Sequence, residues 1–200
     1  MMGERDSRKF DPAMASTLDA AERDVYLPDG AVTDLLELTG AETVLDYGAG
    51  TGRISLVLAE RLPKGRVVAV DESPEMIVHL SERLASVSNA EVIEITGNAV
   101  PLDDGSVDRV LAVNLLHEVR SERALEEMHR LLRPDGFLLV IDWDREGPSE
   151  PGPPTHLRYK PQEAIAECEK AGFQVQQPLS DRLPYHFVLR AYRAGRAAMT

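Results

Sequence analysis

Cysteine, tryptophan and positive charge are all scarce in this chain of 200 residues. The one cysteine, Cys168, excludes an internal disulfide and fits a reducing cytoplasm. Aromatic residues make up 5% of the chain, too few for the aromatic-basic stripe that stacks single-stranded nucleic acid. Lysine and arginine number 22 against 34 acids, a formal net charge of -12. So acidic a surface repels a phosphate backbone, and no lysine-arginine cluster offsets it, which disfavours nucleic-acid partners. No apolar run approaches the ~20 residues of a membrane-spanning helix. The polar opening M-M-G-E-R-D-S-R-K-F lacks the apolar core of a secretory signal. Histidine, cysteine and acids nowhere gather at metal-ligand spacing, and neither a P-loop nor a G-x-S-x-G turn occurs. These absences predict a cytoplasmic protein that binds no metal, membrane or nucleic acid.

What is present is an ordinary globular balance, 43% hydrophobic and 28% charged, at a length that suits one domain. The most informative segment is V-L-D-Y-G-A-G-T-G, Val44 to Gly52. A short apolar run that stops at an acid and a glycine cluster predicts a buried strand meeting a tight turn. Gly48, Gly50 and Gly52 let the backbone turn sharply and approach a ligand closely. Ile54, Val57, Leu58 and Leu62 then recur at helical spacing, so the turn lies between a strand and a helix. A second apolar run, Val67 to Val70, ends at Asp71. That acid stands about 20 residues further on, the spacing at which an acid meets ribose hydroxyls in nucleotide-binding α/β folds. The glycine pattern is G-x-G-x-G rather than the G-x-G-x-x-G of dinucleotide folds, and Asp46 precedes it. An acid beside the turn would repel a pyrophosphate and suit a cationic ligand that carries an adenosine.

The rest of the chain alternates between the two periodicities. Residues 1–12 are expected to form a mobile arm, followed by helices over residues 14–26 and 29–38 separated by Pro28. Strands are predicted at 43–47, 65–70, 91–96, 107–113 and 137–141. Ser73-Pro74-Glu75 opens a helix with a cap, a proline at the first position and an acid at the positive end of the dipole. Ser121 is expected to cap another, and Pro134-Asp135-Gly136 to make a turn. Residues 147–154, rich in proline and glycine, read as a loop. Residues 161–171 read as a helix closed by Gly172. Two final strands, 173–178 and 185–192, are joined so tightly through residues 181–184 that only an antiparallel pair is permitted. Alternating strands and helices predict a mostly parallel sheet covered on both faces.

Taken together, four segments resemble the class I S-adenosylmethionine-dependent methyltransferases. They are V-L-D-Y-G-A-G-T-G, then V-V-A-V-D-E-S-P-E-M from Val67, then G-N-A-V-P-L-D-D-G-S-V-D-R-V from Gly97, then L-L-R-P-D-G-F-L-L-V-I-D from Leu131. The resemblance is closest to the small-molecule group (methyltransferase type 11) that includes the quinone-biosynthesis enzymes. It implies a single-domain Rossmann-like α/β fold, with a seven-stranded mostly parallel sheet, a C-terminal antiparallel hairpin and helices on both faces. Residues 1–42 would be an arm and lid helices, and residues 43–200 the S-adenosylmethionine-binding domain. It further implies that the turn at Gly48, Ala49, Gly50 and Gly52 passes along the methionine part of the cofactor, with Asp46 binding its ammonium. Asp71 would accept from the ribose hydroxyls, with Glu72 sharing the task and Met76 against the adenine face. The family usually carries an acid after the third strand to accept from the adenine amino group. This chain has Asn98, whose amide oxygen can accept the same bond, and the Ala99 backbone N–H could donate to the ring. Asn114 ends the fourth strand where the family's backbone faces the methyl group.

Methyl transfer from a sulfonium is an in-line displacement that asks the protein to align the nucleophile and exclude water. A general base helps only when the acceptor must lose a proton, and His117 is the residue placed to serve as one. Glu118, Asp142 and Trp143 stand near the same end. Tyr26, Asp142, Trp143 and Tyr185 are candidate acceptor contacts, joined by His156, Tyr159 and His186. Arg53 is expected to be solvated, as are His79 and His129. The expected function is methyl transfer to a small molecule. The competing readings are an NAD(P)-dependent oxidoreductase and a non-catalytic S-adenosylmethionine-binding protein.

Overall fold

The computed structural model describes residues 9–119, 122–176 and 183–193. A 3-10 turn at Pro12–Met14 leads into three short helices, α1 (Ala15–Leu18), α2 (Arg23–Tyr26) and α3 (Asp29–Asp34). Then come β1 (Thr43–Tyr47), α4 (Arg53–Arg61), β2 (Arg66–Asp71), α5 (Pro74–Leu84) and β3 (Ala90–Glu94). β4 (Val107–Val113) is followed by α6 (Leu116–Val119), α7 (Glu122–Leu131) and β5 (Leu132–Trp143). α8 (Pro161–Lys170), β6 (Phe173–Val175) and β7 (His186–Arg193) complete the order. Ser121 and the hairpin joint at 181–182 fall outside the described residues.

Seven strands form one sheet in the order β3-β2-β1-β4-β5-β7-β6. β1 to β5 run parallel, and β7 is antiparallel to both β5 and β6. Successive strand residues point to opposite faces, so each strand supplies two cores. Leu45, Val68, Val110 and Val140 pack with Leu125 and Met128 of α7 and Cys168 of α8. Val44, Val67, Leu111 and Leu139 pack with Leu58 of α4, Leu80 of α5 and Leu27 and Val32 of the N-terminal segment. The expected α/β sheet with two covered faces and an antiparallel close is therefore what forms.

Local details differ from expectation. The helix expected over residues 14–26 is broken at 19–22, because Asp19 is pulled to Thr51 (2.8 Å) and Arg83 (2.6 Å) across the sheet end. Residues 9–12, expected to be mobile, are held: Lys9 pairs with Glu72, and the Phe10 N–H donates to Glu118 Oε2 at 3.0 Å. Residues 134–136 are not a turn ahead of a strand but an excursion within β5. Leu132 pairs with Val107 before the register jumps to Phe137 opposite Arg109. A Cβ at Gly136 would lie 2.6 Å from the Asp108 carbonyl oxygen, so only glycine lets the excursion pass.

Candidate active site

The carboxyl ends of the parallel strands all meet at one edge of the sheet, where ligands of open α/β folds collect. The turn after β1 is held in left-handed conformations, with φ of 76° at Gly48, 56° at Gly50 and 78° at Gly52. A side chain at Gly48 would strike Leu115 at 2.7 Å, and one at Gly52 would strike Leu80 at 2.4 Å. The turn is tied to β2. The N–H groups of Gly48 and Ala49 both donate to the Val70 carbonyl at 2.9 Å, and the Gly50 N–H donates to Asp71 Oδ2 at 2.8 Å. Asp71 Oδ1 accepts from the Ser73 N–H at 2.9 Å. Burial raises the Asp71 pKa, against the lowering effect of the Ser73, Gly50 and Glu72 backbone amides. Each of its oxygens can still accept a further hydroxyl hydrogen.

Asp46 lies beneath the turn, buried, and accepts from Ser55 Oγ at 2.6 Å. Desolvation pushes its pKa up to about 6, Asp71 adds to the rise, and Ser55 and Arg23 oppose it. The Ser55 contact has no signal in the glycine motif; it comes from the first turn of α4. Met76 is buried near the start of α5, its N–H on Ser73 Oγ at 3.3 Å. Glu72 is drawn to Lys9. Asn98 offers its carbonyl to the Tyr47 hydroxyl at 2.9 Å and is half-buried, while Ala99 is exposed. Asn114 has a left-handed φ of 53°, strained for a residue with a Cβ. Its side-chain oxygen Oδ1 is buried with no hydrogen-bond partner.

Beside this turn stands a buried acid-imidazole pair. His117 Nδ1 lies 2.7 Å from Asp142 Oδ1, and the His117 N–H donates to Asp142 Oδ2 at 3.1 Å. The Trp143 N–H also donates to Oδ1, at 2.7 Å, so three contacts lock a carboxylate that has no exposure. Glu118 Oε1 is 3.9 Å from His117 Nε2, and burial pushes the Glu118 pKa up to about 7. Asp142, expected to touch the acceptor, instead holds the histidine.

The other expected acceptor contacts separate into two groups. Tyr26, Trp143 and Tyr185 converge: the Tyr26 ring is 5.5 Å from Trp143 and 6.0 Å from Tyr185. His186 joins them, 4.2 Å from Trp143. Tyr159 does not; it is core, its hydroxyl on Glu167 at 2.8 Å, and His156 is exposed on the surface. His129, expected to be solvated, is half-buried edge-on against Phe173 at 5.0 Å. Arg53 is not a solvated cap. It gathers Asp29 (2.6 Å), Asp24 and the Ala20 carbonyl (3.3 Å) and so fastens the N-terminal segment to α4. Arg158, unremarked in the sequence, is fully buried with its guanidinium 5.2 Å from the Trp143 ring centre. Its donors go to the carbonyls of Asp144, Pro148, Ser149, Pro151 and Pro153.

Known proteins share this fold. The family described as a methyltransferase domain matches residues 44–136. A crystal structure of an S-adenosylmethionine-dependent methyltransferase from Aquifex aeolicus is 31% identical, with a TM-score of 0.85 over 92% of this chain and 98% of that one. The chain belongs to the S-adenosylmethionine-dependent methyltransferases. An uncharacterized methyltransferase of Mycobacterium tuberculosis is 40% identical over 121 residues, 60% of this chain and 46% of the relative. A demethylmenaquinone methyltransferase of Thermus thermophilus is 34% identical over 113 residues, 55% of this chain and 51% of the relative. The chain spans about half the length of these curated relatives.

The geometry suits the cofactor this family uses. Asn114 Oδ1 has no partner, and an ammonium would supply one. The glycine turn leaves no room for a side chain at Gly48 or Gly52, and Asp71 keeps accepting capacity for a diol. Leu18 covers the turn, lying 3.4 Å from where a Cβ on Gly50 would be.

Proposed function

We propose that the chain transfers a methyl group from S-adenosylmethionine to a small-molecule acceptor that gives up a proton, with His117 as the base. When bound, the cofactor supplies a methyl group on a sulfonium, already activated toward displacement. In this reading Asp71, with Glu72, takes the ribose, and Asp46 and Asn114 the methionine end. Met76, Asn98 and Ala99 border the adenine, and Gly48, Ala49, Gly50 and Gly52 carry the backbone past the ligand. Tyr26, Trp143 and Tyr185 wall the acceptor side, with residues 1–42 as the cover. Asp142 acts through His117. By accepting from Nδ1 it leaves Nε2 as the basic nitrogen.

One observation carries this reading: the glycine turn of β1 and the buried His117–Asp142 pair at the ends of β4 and β5 share a sheet edge. The net charge of -12 favours a small acceptor over a nucleic acid. Among the described residues no helix is long and apolar enough to cross a membrane. Together with the single buried cysteine, this supports a cytoplasmic location.

The test is transfer of radiolabelled methyl from the cofactor into the small-molecule fraction of a metabolite extract. The wild type labels a discrete product. His117→Gln slows labelling by about 10²–10⁴-fold, the usual worth of general-base catalysis, and keeps its affinity for S-adenosylhomocysteine. A chain that binds the cofactor and labels nothing contradicts the reading, and full activity in His117→Gln contradicts the base.

A further inference from the structure

We propose that His186 is the hydroxyl-recognising residue of the acceptor site, and that the acceptor is a flat, uncharged ring bearing a hydroxyl group. This rests on the methyl-transfer reading above. His186 opens β7 and stands opposite Trp143 in the register of the sheet. It is 2% exposed, and neither ring nitrogen has a hydrogen-bond partner. Around it are Trp143 at 4.2 Å and Tyr26 at 6.3 Å, the latter nearly parallel at 16°. Tyr185 packs against Tyr26.

A buried polar group without a partner weakens a fold, and a phenylalanine would fill this aromatic setting with no such loss. Two unanswered nitrogens in one buried ring therefore point to a ligand that answers them. The ring is held neutral. Desolvation pushes its pKa down to about 3, Arg23, Arg158 and His117 reinforce the fall, and Asp142 opposes it. A neutral imidazole has one N–H donor and one acceptor nitrogen, the complement of a hydroxyl, which accepts and donates.

The charges nearby narrow the class further. Among the described residues a carboxylate on the acceptor would find no free cation there: Arg158 is committed to backbone carbonyls, and Arg23 is paired with Asp29 at 2.8 Å. The burial that keeps His186 uncharged would penalise an ammonium in the same way. The surrounding rings instead offer faces for a flat apolar body. Tyr26, at the end of the four-residue α2, and Tyr185 are half-buried and form the outer part of the wall.

The test uses the full chain saturated with S-adenosylhomocysteine and titrated with two probes, phenol and toluene, by NMR with ¹⁵N-labelled histidine. Phenol is expected to bind about tenfold more tightly than toluene, the worth of a net hydrogen bond, and to shift the His186 ring signals. His186→Phe is expected to abolish the preference, leave the S-adenosylhomocysteine affinity unchanged, and melt no lower than the wild type. His186→Gln, which keeps a donor and an acceptor, restores part of the preference and serves where the phenylalanine variant fails to fold. Equal binding of the two probes by the wild type, or a preference that survives in His186→Phe, overturns the proposal. A chain that binds S-adenosylhomocysteine but neither probe loses this proposal alone. One that binds no S-adenosylhomocysteine loses the methyl-transfer reading and this with it.

Discussion

Asp71 and Asp142 both end strands and both are acids, but their surroundings assign them different work. Asp71 accepts one backbone N–H on each oxygen and retains capacity for a ligand, so Asp71→Ala should weaken cofactor binding by about 1.5–3 kcal/mol in a calorimetric titration, the worth of hydrogen bonds to a charged group. Unchanged affinity would remove the ribose role proposed for it. Asp142 is filled by His117 and Trp143. Asp142→Asn should therefore lower kcat and move the pH profile of turnover while sparing cofactor affinity, whereas a scaffold role would leave the profile where it is. Glu118 predicts a sign. Its folded pKa, about 7, lies above the ordinary carboxylate value of 4.5. The folded chain thus holds a proton that the unfolded chain has lost, and this stabilisation fades as pH rises from about 4.5 to about 7. Relative to Glu118→Gln, the wild type should lose up to about 3 kcal/mol across that window, read from denaturant melts at each pH. Parallel curves would show that Glu118 is not desolvated. Asp71 was legible because a strand, an acid and a spacing are local facts. The Asp142–His117 bond was not, because it joins residues 25 apart, one on β5 and the other on α6.

At the scale of elements, the loop after β5 is shaped by Arg158 rather than by its prolines. Five backbone carbonyls turn inward onto one guanidinium. The segment is bolted down over Trp143, with the Gly152 backbone so close that a Cβ there would lie 2.8 Å from the ring. Arg158→Ala strands those carbonyls and should cost about 3 kcal/mol or more in thermal or denaturant unfolding. A loss under about 1 kcal/mol would mean that water replaces the guanidinium. The N-terminal segment is fastened instead by side chains, through Arg53, Lys9 and the Phe10 N–H. Residues 14–26 read as one helix rather than two because sequence pattern reports which face is apolar. It does not report that Asp19 is pulled away by Thr51 and Arg83.

For the whole molecule, four ordered segments and an alternation of periods were enough to anticipate the sheet, its two covered faces and its antiparallel close. Each is set by short-range pattern. The acceptor wall was legible only as a scatter of aromatics. Tyr26 and Tyr185 come from opposite ends of the chain, and Tyr159, equally aromatic, went to the core. A cofactor that closes the edge of this sheet should stabilise everything folded around it. At a hundred times its dissociation constant, S-adenosylhomocysteine should add about 2.7 kcal/mol to unfolding. The most direct measurement is a calorimetric titration of the purified chain with S-adenosylhomocysteine, with NAD as the control. The account predicts saturable one-to-one binding of the first and no heat of binding from the second. A folded chain that ignores the first at millimolar excess, or that takes up NAD in its place, contradicts it.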